Sequence, residues 1–214
     1  MKIKLAVFDF DSTLMDGETL ELLAQDKALR AKLKSITDRA MAGELDFFES
    51  LTQRVAFLKG IPVSHVNEVF KNLPYMNGAK ELIFQLKQRG VKTVCFSGGF
   101  DGALEYAQKT LGFDTYFANF LHEKEGKLTG LVGGDMMTSD SKGIMLQKIQ
   151  TITGITKEET MAVGDGANDL SMFKYANYKV AFCAKDVLKK EANIIIENKN
   201  LLEILSKLEE QNIL

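Results

Sequence analysis

Short, continuously apolar runs alternate with helical patterns along most of this sequence. Five such runs cover residues 3–8, 91–96, 160–164, 179–183 and 193–197. They are continuous rather than alternating in polarity, which is typical of strands that are covered on both faces. Helical patterns lie at residues 78–90, 101–112, 141–154, 168–176 and 200–211. This alternation predicts an α/β fold with a doubly wound, mostly parallel, Rossmann-like sheet.

Residues 15–74 interrupt that rhythm. The segment is helical in pattern almost throughout, is broken at Gly43 and Gly60, and contains no convincing strand. At 214 residues the chain is long enough for one sizeable core with a smaller inserted unit. We therefore predict a helical cap domain at 15–74 and a catalytic core formed by 1–14 and 75–214. A small β-hairpin is predicted at 120–135, with its turn at 124–127.

Composition limits the partners and the location of the chain. The formal net charge is −2, so no global basic field favours nucleic acid or anionic lipid. No apolar run approaches the roughly 18 residues needed to span a membrane, and the first residues do not resemble a signal peptide. Cys95 and Cys183 cannot form a disulfide framework, which suits a reducing cytosol. We expect a cytoplasmic protein that binds a small molecule and neither nucleic acid nor membrane; its oligomeric state is left open.

Polar residues collect where the predicted strands end and one helix begins. The first strand ends in Asp9 and Asp11, and the second in Ser97-Gly98-Gly99. Lys142 opens a helix, and a later strand ends in the run GDGAND, residues 164–169. Ligands of open α/β sheets bind beyond the carboxyl ends of the strands. The sequence therefore predicts one site that contains carboxylates, a hydroxyl, glycine backbone, a lysine and an amide.

This set of groups is explained best by a metal ion together with a phosphate. Oxygen ligands select a hard ion, which in a cell is Mg²⁺. Serine, glycine N–H groups and lysine favour a phosphate, but aspartates repel it by roughly 4 kcal/mol per unit-charge pair at about 4 Å. A divalent cation between them reverses that sign. One carboxylate of the Asp9–Asp11 pair could then attack phosphorus, and the other could serve as general acid and base.

Taken in order, the motifs DFDST, SGGF, SKG and VGDGANDLSMF resemble the haloacid dehalogenase superfamily of phosphotransferases. The cap sequence TDRAMAGELDFFESLTQRVAFLKG, residues 37–60, resembles that of bacterial and archaeal phosphoserine phosphatases. The resemblance covers nearly the whole chain. It implies hydrolysis of O-phospho-L-serine to L-serine and phosphate, the last step of serine biosynthesis, through an aspartyl-phosphate.

The resemblance also implies roles for individual core residues. Asp9 would be the nucleophile and Asp11 the general acid and base. Mg²⁺ would be held by Asp9, the backbone carbonyl of Asp11 and Asp165, with Asp169 supporting from nearby. The residues implied to hold the phosphate, or to lie near it, are Ser97, Gly98, Lys142 and Asn168.

The cap would read the rest of the substrate. By the same resemblance, Glu18 would take the substrate ammonium, and Arg54 would take its carboxylate as a bidentate pair. Met41 and Phe47 would form walls of the pocket and exclude water. These four residues are separate in sequence from every residue that is expected to handle phosphate.

Other functions share part of this pattern. A receiver-type signalling module also uses Asp, Mg²⁺ and Lys, but it is shorter, lacks a cap and phosphorylates a later strand. P-type ion pumps carry Thr in place of Asp11, and they span membranes. A phosphotransferase to an alcohol such as homoserine and a broader phosphomonoesterase stay open as enzyme alternatives. Glu18 with Arg54 favours a zwitterionic amino-acid substrate over a sugar phosphate.

Overall fold

Strand β1 (Leu5–Asp9) lies at the centre of a seven-stranded sheet in this computed structural model, which describes residues 2–41, 44–211 and 213. The strand order is β4-β3-β2-β1-β5-β6-β7. The other strands are β2 (Lys92–Phe100), β3 (Thr115–Lys124), β4 (Lys127–Gly134), β5 (Thr160–Gly164), β6 (Tyr178–Phe182) and β7 (Ile194–Ile196). All neighbours pair in parallel except β3 and β4, which are antiparallel. The predicted doubly wound, mostly parallel α/β sheet is thereby confirmed.

Helices connect the strands and form the inserted segment. Between β1 and β2 lie α1 (Thr19–Leu22), α2 (Lys27–Met41), α3 (Phe47–Ala56), α4 (Val63–Lys71) and α5 (Ala79–Gln88). The later helices are α6 (Asp101–Leu111), α7 (Ser141–Thr153), α8 (Leu170–Phe173), α9 (Asp186–Lys189) and α10 (Leu202–Glu210). Within the described ranges, no helix has both the length and the apolar character that a membrane crossing requires.

The central strand is buried on both faces, as its continuous apolar sequence predicts. Ala6 and Phe8 belong to one hydrophobic cluster, and Leu5 and Val7 belong to a second. Because successive side chains of a strand point to opposite faces, the two clusters lie on opposite sides of the sheet. Apolar packing thus leaves only the ends of β1 free for polar chemistry.

The inserted helices leave and rejoin the sheet through two paired chain segments. Met15 forms an antiparallel bridge with Tyr75. The N–H of Asp16 donates to the carbonyl of Pro74 at 2.7 Å, and the N–H of Met76 donates to that of Leu14 at 2.9 Å. These contacts join the two connections next to the sheet, close to the predicted boundaries at 14/15 and 74/75.

The β-hairpin is larger than the sequence indicated. Its turn lies where it was predicted, between Lys124 and Lys127. Its first arm begins at Thr115 and pairs with β2, so the hairpin is an edge of the main sheet and not a separate unit. The run TYFAN, residues 115–119, is only partly buried along the strand. Its sequence therefore lacked the continuous apolar signal of the other strands.

Candidate active site

Three polar loops meet at the carboxyl ends of neighbouring strands. Asp9, the last residue of β1, lies opposite Phe96, so Ser97 follows at the same level on β2. On the other side of β1, Phe8 lies opposite Val163, and β5 ends one residue later. Since β2 and β5 flank β1, the carboxyl ends of the three strands form one edge. This is the position at which open α/β sheets bind ligands.

Lys142 joins the first and last of these loops from helix α7. Its Nζ donates to Oδ1 of Asp9 at 2.5 Å and to Oδ1 of Asp169 at 2.6 Å. The lysine is only 3% exposed. Helix α7 packs closely against Ser171 at Gly143. A Cβ at this position would lie 2.6 Å from the carbonyl oxygen of Ser171. A glycine after Lys142 is thus required to bring the ammonium group under the two carboxylates.

Asp9, Asp165 and Asp169 form a buried cluster of carboxylates. One oxygen from each lies within 4.8 Å of the others. Oδ2 of Asp169 accepts from the N–H groups of Asp165 at 3.0 Å and Gly166 at 3.1 Å, while its Oδ1 accepts from Lys142. Both oxygens of Asp169 are therefore engaged by protein donors. The cluster could bind a metal ion, and Asp9 and Asp165 have the freer oxygens for it.

Protein groups do not fully neutralise the negative charge of the carboxylates in this cluster. Burial, followed by the nearby Asp169 carboxylate, raises the pKa of Asp9 to about 7. Burial and Asp9 raise the pKa of Asp165 well above its usual value. Burial alone would lower the pKa of Lys142, but the carboxylates of Asp169 and Asp9 outweigh it and raise that pKa. A hard cation with oxygen ligands fits this donor set, because it would supply the missing positive charge.

Asp11 lies on the same edge and is turned toward the first cap helix. Its Oδ1 accepts hydrogen bonds from the backbone N–H of Thr19, at 2.8 Å, and from the Thr19 hydroxyl. Burial raises the pKa of Asp11, and the bonds from Thr19 oppose that shift. Ser12 has a φ of 58°, in the left-handed region, which redirects the chain just after Asp11. A carboxyl group with a raised pKa is suited to donate and accept a proton.

The carboxyl-terminal part of β2 is built for close approach. Ser97 is fully buried, and its Oγ accepts from the N–H of Gly99 at 2.8 Å. A Cβ on Gly99 would lie 3.0 Å from Oδ2 of Asp11 and also from Oγ of Ser97. Asn119, on the neighbouring strand β3, is buried. Its amide donates to the carbonyl of Gly98 at 3.0 Å and fixes the backbone there. Gly99 therefore lets the Ser97 hydroxyl and the backbone come close to the carboxylate of Asp11.

The segment between β1 and β2 contributes one carboxyl group and one guanidinium. Glu18 accepts a hydrogen bond at Oε1 from the hydroxyl of Ser12 at 2.7 Å. Burial, then the charge of Asp11, raises the pKa of Glu18 to about 8. Arg54 is 8% exposed, and burial lowers its pKa, with Glu18 opposing the shift. Both groups are thus desolvated and available to a charged ligand.

One cavity of about 280 Å³ connects these groups. From the core it is lined by Asp9, Asp11, Gly98, Asp165 and Asn168, and from the inserted helices by Glu18, Phe47 and Arg54. A Cβ on Gly98 would lie 2.8 Å from Cζ of Phe47, so the phenyl ring covers β2 at this residue. Oδ1 of Asn168 is buried and has no hydrogen-bond partner among the residues described. Ser97 and Lys142 are buried beside the residues that line it.

The structure thus brings together the predicted residues whose side chains it describes. The side chain of Met41, predicted as a pocket wall, lies outside the described part. Sequence reasoning did not identify several lining residues, namely Leu20, Thr37, Ala40, Leu45, Asp46, Gly99, Ser139 and Ala167. Most carry no distinctive chemistry, and only the folded cap orients them inward. Gly99 and Ala167 had a signal, since they belong to the SGGF and VGDGANDLSMF motifs.

Curated relatives match this sequence along nearly its whole length. A phosphoserine phosphatase of Wolinella succinogenes is 58% identical over 206 residues, which cover 96% of this chain and 100% of the relative. One of Campylobacter jejuni is 51% identical over 203 residues, covering 95% and 98% of the two chains. One of Methanocaldococcus jannaschii is 48% identical over 204 residues, covering 95% and 97%.

Solved structures and a family model agree with the sequence relatives. A phospho-aspartyl intermediate analogue of a phosphoserine phosphatase superposes with a TM-score of 0.92 at 47% identity, covering 97% of this chain and 99% of that one. A substrate-bound phosphoserine phosphatase matches with the same TM-score, identity and coverage. The model of haloacid dehalogenase-like hydrolases matches residues 3–177. With its motifs, sheet topology and relatives all in agreement, the chain belongs to the haloacid dehalogenase-like hydrolase family.

Proposed function

We propose that this chain hydrolyses O-phospho-L-serine to L-serine and phosphate through an aspartyl-phosphate on Asp9. One observation carries the proposal. A single cavity has the carboxylates of Asp9 and Asp11 on the core side and the Glu18 carboxyl and Arg54 guanidinium on the cap side. A phosphate on the core side would leave an ammonium and a carboxylate facing groups of opposite charge. The high identity to phosphoserine phosphatases supports the same substrate.

The first half of the reaction transfers the phosphoryl group to the protein. A carboxylate oxygen of Asp9 attacks phosphorus as the bond from phosphorus to the serine oxygen breaks. Protonated Asp11 gives its proton to the departing oxygen, and serine is released. Ser97, the backbone of Gly98 and Lys142 hold the phosphate oxygens, and the side-chain NH2 of Asn168 is a further donor near the phosphate. The ammonium of Lys142 also stabilises negative charge on the transferring group.

The second half returns the protein to its starting state. Asp11, now a carboxylate, takes a proton from water, and the water oxygen attacks the phosphorus of the aspartyl-phosphate. The bond between phosphorus and the Asp9 oxygen breaks, so Asp9 is again a carboxylate and Asp11 is again protonated. The hydrogen bonds from Thr19 fix the position of the Asp11 carboxyl group in the structure described here. Phosphate then leaves the cavity.

We further propose Mg²⁺ as the cofactor. Asp9, the backbone carbonyl of Asp11 and Asp165 would hold it, and Asp169 would support them through the loop N–H groups that it accepts from. When bound, the ion would neutralise negative charge between phosphate and carboxylates. We also propose residues 15–74 as the cap domain over a core of 1–14 and 75–214. Phe47 would then exclude water from the phosphate while the cap is closed.

A substrate panel tests this function. We compare phosphoserine, phosphothreonine and an aryl phosphate whose aryl group carries no charge, all with Mg²⁺ present. Both phosphate release and phosphoryl transfer to homoserine are measured. We expect kcat/KM for phosphoserine to exceed that for the aryl phosphate by at least about ten-fold, because two charged hydrogen-bonding groups read the amino-acid end. The phosphoryl group should be transferred to water and not to homoserine. Equal kcat/KM values, or dominant transfer to homoserine, would refute the proposed substrate or reaction.

A further inference from the structure

Thr37 on α2 contacts the guanidinium of Arg54 on α3. Nη1 of Arg54 donates to Oγ1 of Thr37 at 3.0 Å, and the Thr37 hydroxyl donates in turn to the carbonyl of Leu33 at 3.1 Å. We propose that Thr37 is a positioning residue for substrate selection: it holds Arg54 in the orientation that receives the substrate carboxylate. This inference rests on the proposed function, because it deepens the role of Arg54 at the same site.

The direction of the hydrogen bonds makes Thr37 a suitable anchor. A hydroxyl has one proton and two lone pairs, whereas a guanidinium has donors only. Since the Thr37 proton is directed to Leu33, the lone pairs of its oxygen are free to accept from Arg54. Thr37 and Arg54 are 7% and 8% exposed, so little water competes for this bond. The contact also links two cap helices that are seventeen residues apart at these positions.

The two anchors of Arg54 leave a binding edge open. Nε donates to the carbonyl of Ser50 at 3.2 Å, one turn back on α3, and one N–H of Nη1 is used by Thr37. Among the described residues, none accepts a hydrogen bond from Nη2. The remaining N–H groups of Nη1 and Nη2 are enough for a bidentate bond to a carboxylate. Both Thr37 and Arg54 line the cavity, so this edge is accessible to substrate.

The hydroxyl of Thr37 should therefore affect binding of the substrate carboxylate more than it affects the chemical step. The bond between Thr37 and Arg54 is present before and after the phosphoryl group moves. Losing it removes binding that substrate and transition state share, which raises KM and changes kcat little. A role confined to the packing of α2 against α3 would instead affect every substrate alike.

The test compares two substrates and graded variants. Phosphoserine carries phosphate, ammonium and carboxylate, whereas phosphoethanolamine lacks only the carboxylate. We expect Thr37→Val to raise KM for phosphoserine about ten-fold while kcat stays within about three-fold. The preference for phosphoserine over phosphoethanolamine in kcat/KM should fall about ten-fold as well. Thr37→Ser, which keeps the hydroxyl, should restore most of that preference. Thr37→Ala gives the same prediction if Thr37→Val does not fold.

A double-mutant cycle separates action through Arg54 from an independent contact. In an Arg54→Ala background, Thr37→Val should change kcat/KM for phosphoserine by less than about two-fold, because no guanidinium is left to position. Calorimetry with the inactive Asp9→Asn variant should show weaker phosphoserine binding when Thr37→Val is added. This binding measurement does not depend on turnover.

The possible outcomes distinguish this inference from the proposed function. Equal losses of kcat/KM on both substrates, or a full loss in the Arg54→Ala background, would overturn the positioning role of Thr37. Unchanged phosphoserine kinetics in Thr37→Val would do the same. The proposed function would not be affected. A wild-type protein without preference for phosphoserine over phosphoethanolamine would overturn the carboxylate role of Arg54, and the role of Thr37 would fall with it.

Discussion

Lys142 donates a hydrogen bond to Asp9 at 2.5 Å, although 133 positions separate the two residues in sequence. The same ammonium contacts Asp169, so one cation holds carboxylates from the loops after β1 and β5. Removing it would leave those buried carboxylates without a protein cation. Lys142 therefore stabilises the folded site and also holds Asp9, the proposed nucleophile, in place.

Replacing Lys142 should disable turnover of every phosphate substrate. We expect Lys142→Met to lower kcat/KM by about 10²- to 10³-fold for phosphoserine and for an aryl phosphate, because the group that stabilises charge on the transferring phosphoryl is lost. Steady-state kinetics measure the effect. Lys148→Met, at an exposed position on the same helix, is the matched control and should keep near-normal rates. Wild-type kinetics in Lys142→Met would contradict this assignment.

Metal binding should be visible both in stability and in rate. Mg²⁺ should raise the melting temperature of chelator-treated protein, because it binds the folded state, and it should restore activity. Asp165→Asn should weaken both effects, whereas Asp38→Asn, on the exposed surface of α2, should not. Ca²⁺ should bind but inhibit, since the larger ion accepts a bidentate carboxylate and would occupy the attacking oxygen of Asp9. Full activity with chelator or with Ca²⁺ would exclude the proposed Mg²⁺ role.

Arg54 should matter only for substrates that carry a carboxylate. A charged hydrogen bond is worth roughly 1.5–3 kcal/mol, so Arg54→Ala should lower kcat/KM for phosphoserine by about ten- to hundred-fold. Hydrolysis of an aryl phosphate should change by less than about two-fold, whereas Ser97→Ala should impair both substrates. Arg39→Ala removes a half-exposed arginine of the cap and is the matched control. Equal losses on both substrates in Arg54→Ala would indicate a structural or phosphate-binding role.

Glu18 should make the metal-free protein less stable at high pH. Burial and the charges of Asp11 and Asp9 raise its pKa to about 8, against the Ser12 hydroxyl and Arg54, which lower it. Between about pH 4.5 and 8 the folded state holds a proton at Glu18 that the unfolded state has lost, so the free energy of unfolding falls as pH rises. Glu18→Gln should remove this contribution.

Denaturant unfolding of chelator-treated protein at several pH values measures this effect. We expect Glu18→Gln to be more stable than wild type by about 1–3 kcal/mol above pH 8 and within about 0.5 kcal/mol of it near pH 4.5. Carboxyl groups that do not interact with Glu18 titrate alike in both proteins, so the difference reports Glu18 together with its interaction with Asp11 and Asp9. Glu21→Gln, on the short helix α1 that Glu18 precedes, is the control. A stability difference that is constant with pH would show that Glu18 is ionised normally in the folded state.

The sequence predicted the sheet and the catalytic loops well because their signals are local. Each buried strand has a continuous apolar run, and each polar motif follows a strand or opens a helix. The first half of the strand that begins at Thr115 was missed, because it is only partly buried and lacks such a run. The bond from Thr37 to Arg54 was missed for a different reason. It depends on how two amphipathic helices pack, and a single threonine in a helix carries no sign of its partner.

The proposed mechanism requires a phosphoryl group on Asp9, and a rapid-quench experiment detects it. Protein is mixed with phosphoserine and Mg²⁺ and quenched in acid, and the peptide that carries Asp9 and Asp11 is examined by mass spectrometry. We predict one phosphoryl group on Asp9, formed and lost more slowly in Asp11→Asn because protonation of the departing oxygen and activation of water are both impaired, and none in Asp9→Asn, which should also lose phosphate release. Turnover by Asp9→Asn at a near-normal rate, or a phosphoryl group found on another residue, would contradict the mechanism.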